Sequence, residues 1–150
     1  MTPIEIILYF LLFAVFGVAI EVLFTAILEY GKSRNPRMIG KSTLWMFPIC
    51  GAVFFIVLLV QAYAGDYPWF FRGFLYMVLI TAWEYVSGFT IRKMVGVAPW
   101  EYSAETPDGI GSKKKYQIDG LICLEYLPLW FVEGLFAETA FLFLKGHFFL

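Results

Sequence analysis

Five glutamates lie within stretches of sequence that are otherwise strongly apolar: Glu21, Glu84, Glu125, Glu133 and Glu138. An ionised carboxyl group in the middle of a lipid bilayer costs about 2.5–3.5 kcal/mol on insertion scales, and acidic residues at such positions commonly have a function. A carboxyl group removed from water must carry a proton, accept hydrogen bonds or face a positive charge. These residues therefore predict a site that handles a proton or another cation inside a membrane.

The apolar stretches that carry these glutamates have the length of membrane-spanning helices. The chain of 150 residues is 61% hydrophobic and 15% charged, with a mean hydropathy of +0.75. Soluble domains contain about 25% charged residues, and about 20 apolar residues are enough to cross the hydrocarbon core. We therefore predict an all-α, polytopic membrane protein: a single domain of four transmembrane helices, with a long structured cytoplasmic loop before the fourth. The predicted spans are residues 4–30, 43–63, 69–91 and 120–144.

The charge balance and the missing motifs exclude several classes of function. Eleven Lys and Arg residues are balanced by 12 Asp and Glu residues, and the net charge of −1 does not suit a nucleic-acid-binding protein. The only histidine is His147, and the sequence contains neither a motif for a catalytic nucleophile nor a phosphate-binding glycine loop. An enzyme is therefore not favoured, and the sequence names no cofactor. If a metal ion binds, oxygen ligands favour Mg²⁺, Ca²⁺ or Mn²⁺.

The distribution of basic residues predicts how the helices are oriented. Nine of the 11 basic residues fall in the two segments that join the first span to the second and the third span to the fourth. Because basic residues are enriched in cytoplasmic loops, we expect both segments in the cytoplasm and both termini outside it. The nine residues are Lys32, Arg34, Arg37, Lys41, Arg92, Lys93, Lys113, Lys114 and Lys115.

Helix geometry places three of the glutamates at a similar depth. With a rise of about 1.5 Å per residue, Glu21, Glu84 and Glu125 should all lie in the cytoplasmic half of the bundle, and the other two glutamates should lie deeper. We expect the three to form one pocket, with no Lys or Arg in the membrane core to pair with them. The same three would be the ligands of a metal ion. Pro128 should kink the fourth helix close to the pocket.

Further residues are expected to complete this pocket. Thr25 lies one helical turn after Glu21, Arg92 lies two turns after Glu84, and Glu133 lies two turns after Glu125. Tyr126, next to Glu125, is a fourth secondary candidate. The long cytoplasmic loop is expected to close the pocket on its cytoplasmic side with three residues: Trp100, Glu101 and Tyr102.

Five segments of the chain together resemble a known family: residues 21–26 (EVLFTA), 44–51 (LWMFPICG), 83–89 (WEYVSGF), 99–103 (PWEYS) and 120–131 (GLICLEYLPLWF). They are similar to the transmembrane protein 229 family, whose bacterial relatives are labelled type IV ABC-transporter proteins. The resemblance covers most of the chain and implies a multi-pass membrane protein whose motif acids are Glu21, Glu84, Glu101 and Glu125. Where the family typically has aspartate, this chain has Glu101, which is one methylene longer. The resemblance implies no particular reaction.

Three functions remain open from the sequence. In the first, the acidic pocket binds or transports a cation or a cationic small molecule. Because four helices enclose only a thin pore, we expect a homo-oligomer. In the second, the protein is an intramembrane enzyme that acts on a lipid head group. In the third, it is a structural subunit whose acidic residues dock a membrane partner. All three functions place the protein in a lipid bilayer, and none involves binding to nucleic acid.

Overall fold

The computed structural model describes residues 1–106 and 111–147. The described chain contains four long helices: α1 (Pro3–Ser33), α2 (Met46–Ala64), α3 (Trp69–Val95) and α4 (Leu127–His147). Each is long and apolar enough to cross a membrane. The prediction of an all-α, four-helix membrane protein is confirmed.

The connection between α3 and α4 differs from the prediction at its carboxyl end. The fourth span was expected to begin at Gly120, but residues 117–123 form a short antiparallel hairpin, β1 (Gln117–Ile118) with β2 (Ile122–Cys123). Asp119 and Gly120 at its turn have φ values of 55° and 69°. An Asp-Gly pair is well suited to such a turn, because positive φ values cost glycine little and aspartate less than most residues.

The hairpin moves the start of the fourth helix and changes the role of Pro128. A short 3₁₀ helix, Leu124–Tyr126, follows β2, and α4 begins at Leu127. Pro128 is therefore in the first turn of α4, where a missing backbone N–H breaks no helical hydrogen bond. The expected kink in the middle of the helix does not occur, since the proline lies at its beginning.

Small residues allow the helices to pack closely in pairs. Gly17 of α1 lies against Cys50 of α2, and Gly134 of α4 lies against Tyr76 of α3; a Cβ atom at either glycine would collide with its neighbour. Such contacts let helix backbones approach each other in the absence of a strong hydrophobic driving force. The two pairs then meet around a buried core of aromatic and aliphatic side chains.

That core contains an ion pair that the sequence analysis did not expect. The Arg72 guanidinium binds the Glu138 carboxylate through Nη2 at 2.8 Å and through Nε at 3.0 and 3.1 Å. The Glu138 side chain is only 5% exposed. Arg72 also donates to the carbonyl oxygens of Gly65 and Tyr67 in the α2–α3 turn. The expectation that the buried glutamates have no basic partner is therefore wrong for Glu138.

Candidate functional site

Glu21 lies on α1 where the α1–α2 loop folds back over the helix. The Ser42 hydroxyl donates to Oε2 of Glu21. One turn further, the Thr25 hydroxyl donates to the Lys41 carbonyl oxygen at 2.9 Å and accepts from the Lys41 N–H at 2.8 Å. Thr25 thus fixes the loop, and the loop supplies the hydrogen bond to Glu21. Thr25, which the sequence placed in the pocket with Glu21, therefore acts on Glu21 through the loop.

Glu84 lies on α3 beside the first turns of α2. Its neighbour Trp83 donates from the indole N–H to the Ile49 carbonyl oxygen at 3.0 Å, which ties α3 to α2 at this level. Oε2 of Glu84 is buried and accepts no hydrogen bond from any described residue. The Trp130 indole on α4 lies close to this carboxyl group. Its own N–H is buried and has no acceptor at hydrogen-bonding distance within the described chain.

Glu133 of α4 brings a third carboxyl group to the same place. It is close enough to interact electrostatically with both Glu84 and Glu21. The thiol of Cys50 on α2 interacts electrostatically with Glu21 and Glu133. Each of the four helices therefore contributes a side chain. We call Glu21, Glu84 and Glu133 the acidic cluster; no Lys or Arg forms a salt bridge with any of them in residues 1–106 and 111–147.

Residues 96–106 and 111–123, which follow α3, form a cap on the bundle, and Trp100 anchors it. The Trp100 indole is buried against Gly88 of α3 and donates to the Leu121 carbonyl oxygen at 2.8 Å. The Glu101 side chain makes its contacts within the cap, because its carboxylate accepts a hydrogen bond from the Ser103 N–H at 2.8 Å and lies against Gly120. These two predicted site residues therefore hold the cap together and have their own partners.

Tyr102 is the cap residue that approaches the acidic cluster. Its backbone N–H donates to the Gly120 carbonyl oxygen at 2.8 Å, and its phenol interacts electrostatically with Glu84 and Glu21. Burial raises the pKa of the Tyr102 phenol well above its ordinary value, and the charge of Glu84 raises it further. The phenol therefore keeps its proton and can donate a hydrogen bond towards the cluster.

Aromatic rings line the same region. The Tyr126 ring makes edge-on contacts with Phe24 at 5.5 Å, with Tyr102 at 5.8 Å and with Trp130 at 6.4 Å between centroids. Through Tyr102 and Trp130 these contacts reach Glu84. We call Phe24, Tyr102, Tyr126 and Trp130 the aromatic wall. Tyr126 was predicted here, whereas Phe24 and Trp130 were not.

Two predicted site residues lie elsewhere. Glu125 is on the 3₁₀ helix with 45% of its side chain exposed, and its carboxylate lies 3.8 Å from the Lys114 amine. Arg92 binds Asp119, through the carbonyl oxygen at 2.9 Å and through the carboxylate. In the part of the chain that the structure describes, no three His, Cys, Asp or Glu side chains are placed to hold a metal ion. Glu125 is therefore not brought together with Glu21 and Glu84, because the hairpin delays the start of α4 and leaves Glu125 on the exposed turn before it.

Lys114 also lies in this region, although the sequence indicated it only as one of the nine basic residues that predict the orientation. Its backbone N–H donates to the Tyr102 carbonyl oxygen at 2.8 Å, and its amine lies 4.9 Å from the centroid of the Tyr126 ring. Hydrogen bonding to the Tyr126 side chain raises the pKa of Lys114, against the opposite effect of partial burial. No sequence signal distinguishes Lys114 from its two lysine neighbours.

Four apolar helices whose loops pack back onto the bundle define a polytopic helical membrane protein. The comparison with protein families gives a more specific assignment. The chain belongs to the family described as putative ABC-transporter type IV, whose model matches residues 8–145. This is the bacterial family that the sequence motifs resembled. No solved structure matches the chain.

Proposed function

We propose that this protein binds a cation at the acidic cluster and carries it across the membrane. The observation that carries the proposal is the state of Glu84: Oε2 is buried, and no donor of the described residues lies within hydrogen-bonding distance of it, the nearby Trp130 indole included. A buried acceptor without a partner costs about 1–3 kcal/mol, and more when it is charged. A positively charged ligand would remove that cost.

The neighbours of Glu84 support a cation in preference to a neutral ligand. Glu133 lies within electrostatic range of Glu84, and Glu21 lies within electrostatic range of Glu133. Like charges in a medium of low dielectric repel strongly. A bound cation would offset this repulsion, whereas a neutral ligand would leave it in place. Tyr102 could donate a hydrogen bond to a carboxylate when the cation leaves.

The surroundings of the cluster favour transport over a role in assembly. All four helices contribute a group to the cluster region, and the cap and the α1–α2 loop both reach it from one end. A site whose cover is held by a few contacts can open on one side. The transporter description of the family agrees with this function.

We also propose that the cap faces the cytoplasm, as the distribution of basic residues indicates. Cysteines introduced at Lys113 and at Asp66 should report opposite sides of the membrane when Cys50 and Cys123 are replaced by serine. An impermeant maleimide should label Asp66→Cys in intact cells and Lys113→Cys only after the cytoplasmic face is exposed. The reverse pattern would contradict this orientation.

Labelling with an apolar carbodiimide, which adds to protonated carboxyl groups in apolar surroundings, tests cation binding. We expect Glu84 to be modified in the purified protein and to be protected by at least one of Na⁺, Mg²⁺ and ethylammonium. The adduct is assigned by mass spectrometry and should be missing in Glu84→Gln. Modification of Glu84 that none of these cations reduces would contradict the proposal.

A further inference from the structure

Resting on the proposed function, we infer that the cation bound at the acidic cluster is a small alkylammonium ion held between carboxylates and the aromatic wall. The inference concerns the chemical class of the ligand, which neither the family description nor the sequence specifies. It depends on which groups surround Glu84 and on how they are spaced.

The groups around Glu84 do not suit an inorganic divalent cation. Ca²⁺ takes 6–8 oxygen ligands, and Mg²⁺ requires nearly ideal octahedral geometry. Residues 1–106 and 111–147 contain no group of three acidic, histidine or cysteine side chains placed to hold a metal ion. The carboxyl groups of the cluster are instead accompanied by the Cys50 thiol, the Trp130 indole and the Tyr102 phenol. This mixture of groups suits a ligand that carries both a positive charge and carbon atoms.

The aromatic wall supplies the second half of an alkylammonium site. Ammonium groups are attracted to the faces of aromatic rings within about 6 Å of the centroid, and their alkyl carbons pack on the same rings. Tyr102 and Trp130 adjoin Glu84 and are connected through Tyr126. An ammonium ion at Glu84 would therefore have a carboxylate for its N–H groups and rings for its carbon atoms.

The chain itself contains an example of this recognition. The Lys114 side chain, which ends in a primary alkylammonium, lies with its nitrogen 4.9 Å from the Tyr126 centroid and 3.8 Å from a carboxylate oxygen of Glu125. The combination of ring and carboxylate therefore already holds one ammonium group at Tyr126. The same ring also contacts Tyr102 and Trp130, the two aromatic residues near Glu84.

The experiment measures thermal unfolding of the purified full chain in detergent with ethylammonium, sodium or magnesium chloride at equal ionic strength. We expect ethylammonium to raise the unfolding temperature in a saturable way and the inorganic salts not to. Tyr102→Leu should weaken the apparent affinity for ethylammonium about tenfold, and Tyr102→Phe should retain most of it, because the ring is kept. Tyr116→Leu, an exposed tyrosine of the same cap, is the matched control.

The outcomes separate this inference from the proposed function. Saturable stabilisation by Na⁺ or Mg²⁺ without an effect of ethylammonium would overturn the alkylammonium assignment and leave cation binding intact. Stabilisation by none of the three would count against both. Equal affinity in Tyr102→Leu and the wild type would overturn the role of the aromatic wall. If Tyr102→Leu does not fold, protection of Glu84 from carbodiimide by ethylammonium in the wild type decides the question.

Discussion

Glu138→Ala is expected to destabilise the protein by about 3–5 kcal/mol, because it leaves the Arg72 guanidinium partly buried without its carboxylate. Glu138 is the more deeply buried partner, and Arg72 also holds the α2–α3 turn through the Gly65 and Tyr67 carbonyl oxygens. Losing the pair therefore weakens contacts among three of the four helices. Chemical unfolding of the purified protein in detergent micelles measures the change.

Two further variants distinguish loss of the ion pair from a general effect of substitution. Arg72→Met combined with Glu138→Leu removes both charges and should recover most of the stability, since buried pairs are often replaceable by apolar residues. Glu29→Gln changes an exposed glutamate and should have little effect. A cost below about 1 kcal/mol for Glu138→Ala, the size typical of an exposed pair, would show that the pair is not buried in the protein.

Trp100→Ala is expected to destabilise the folded cap by about 3–5 kcal/mol, the usual cost of removing a large buried aromatic side chain. The indole is 8% exposed, packs on Gly88 and holds Leu121 by a hydrogen bond. Without it the hairpin keeps the contacts of Arg92 with Asp119 but loses the buried contact that fixes Leu121 against α3. Limited proteolysis at the lysines of the cap, Lys113 and Lys115, should become faster while α1 and α2 remain intact.

Trp45→Ala provides the matched comparison for this second prediction. Trp45 is 41% exposed and immediately precedes α2, so its removal should leave cap proteolysis unchanged. Equal rates of cleavage in Trp100→Ala and the wild type would mean that Trp100 does not anchor the cap. The position of the Tyr102 side chain near the acidic cluster would then need another explanation, because we attribute that position to the folded cap.

The four helices could be predicted from the sequence because hydropathy and length alone determine them. The hairpin at residues 117–123 could not be predicted in the same way, since its second strand is apolar and merges with the following helix in a hydropathy profile. The Asp119-Gly120 pair was the local signal that marked the turn. Missing it extended the fourth span by seven residues (120 to 127) and placed Glu125 among the helices.

The composition of the acidic cluster could be predicted only in part. The rise per residue gave the depths of Glu21 and Glu84, and both lie in the cluster. The spacing of two turns from Glu125 also indicated Glu133 as a pocket residue, and Glu133 lies near Glu84 and Glu21. Depth does not determine how a helix is rotated about its axis, so the sequence could not select the face of α4 that brings Glu138 to Arg72. That choice depends on packing contacts such as Gly134 against Tyr76, which form only between assembled helices.

Binding of a cation at Glu84 is tested most directly by comparing the carbodiimide adducts of Glu84 and Glu138 in a single digest, with and without ethylammonium. Glu138 is the internal reference, because its carboxylate is occupied by Arg72. We expect Glu84 to be modified in the free protein and protected by ethylammonium, with little adduct at Glu138 under either condition. Equal modification of the two residues, unchanged by the cation, would contradict the account.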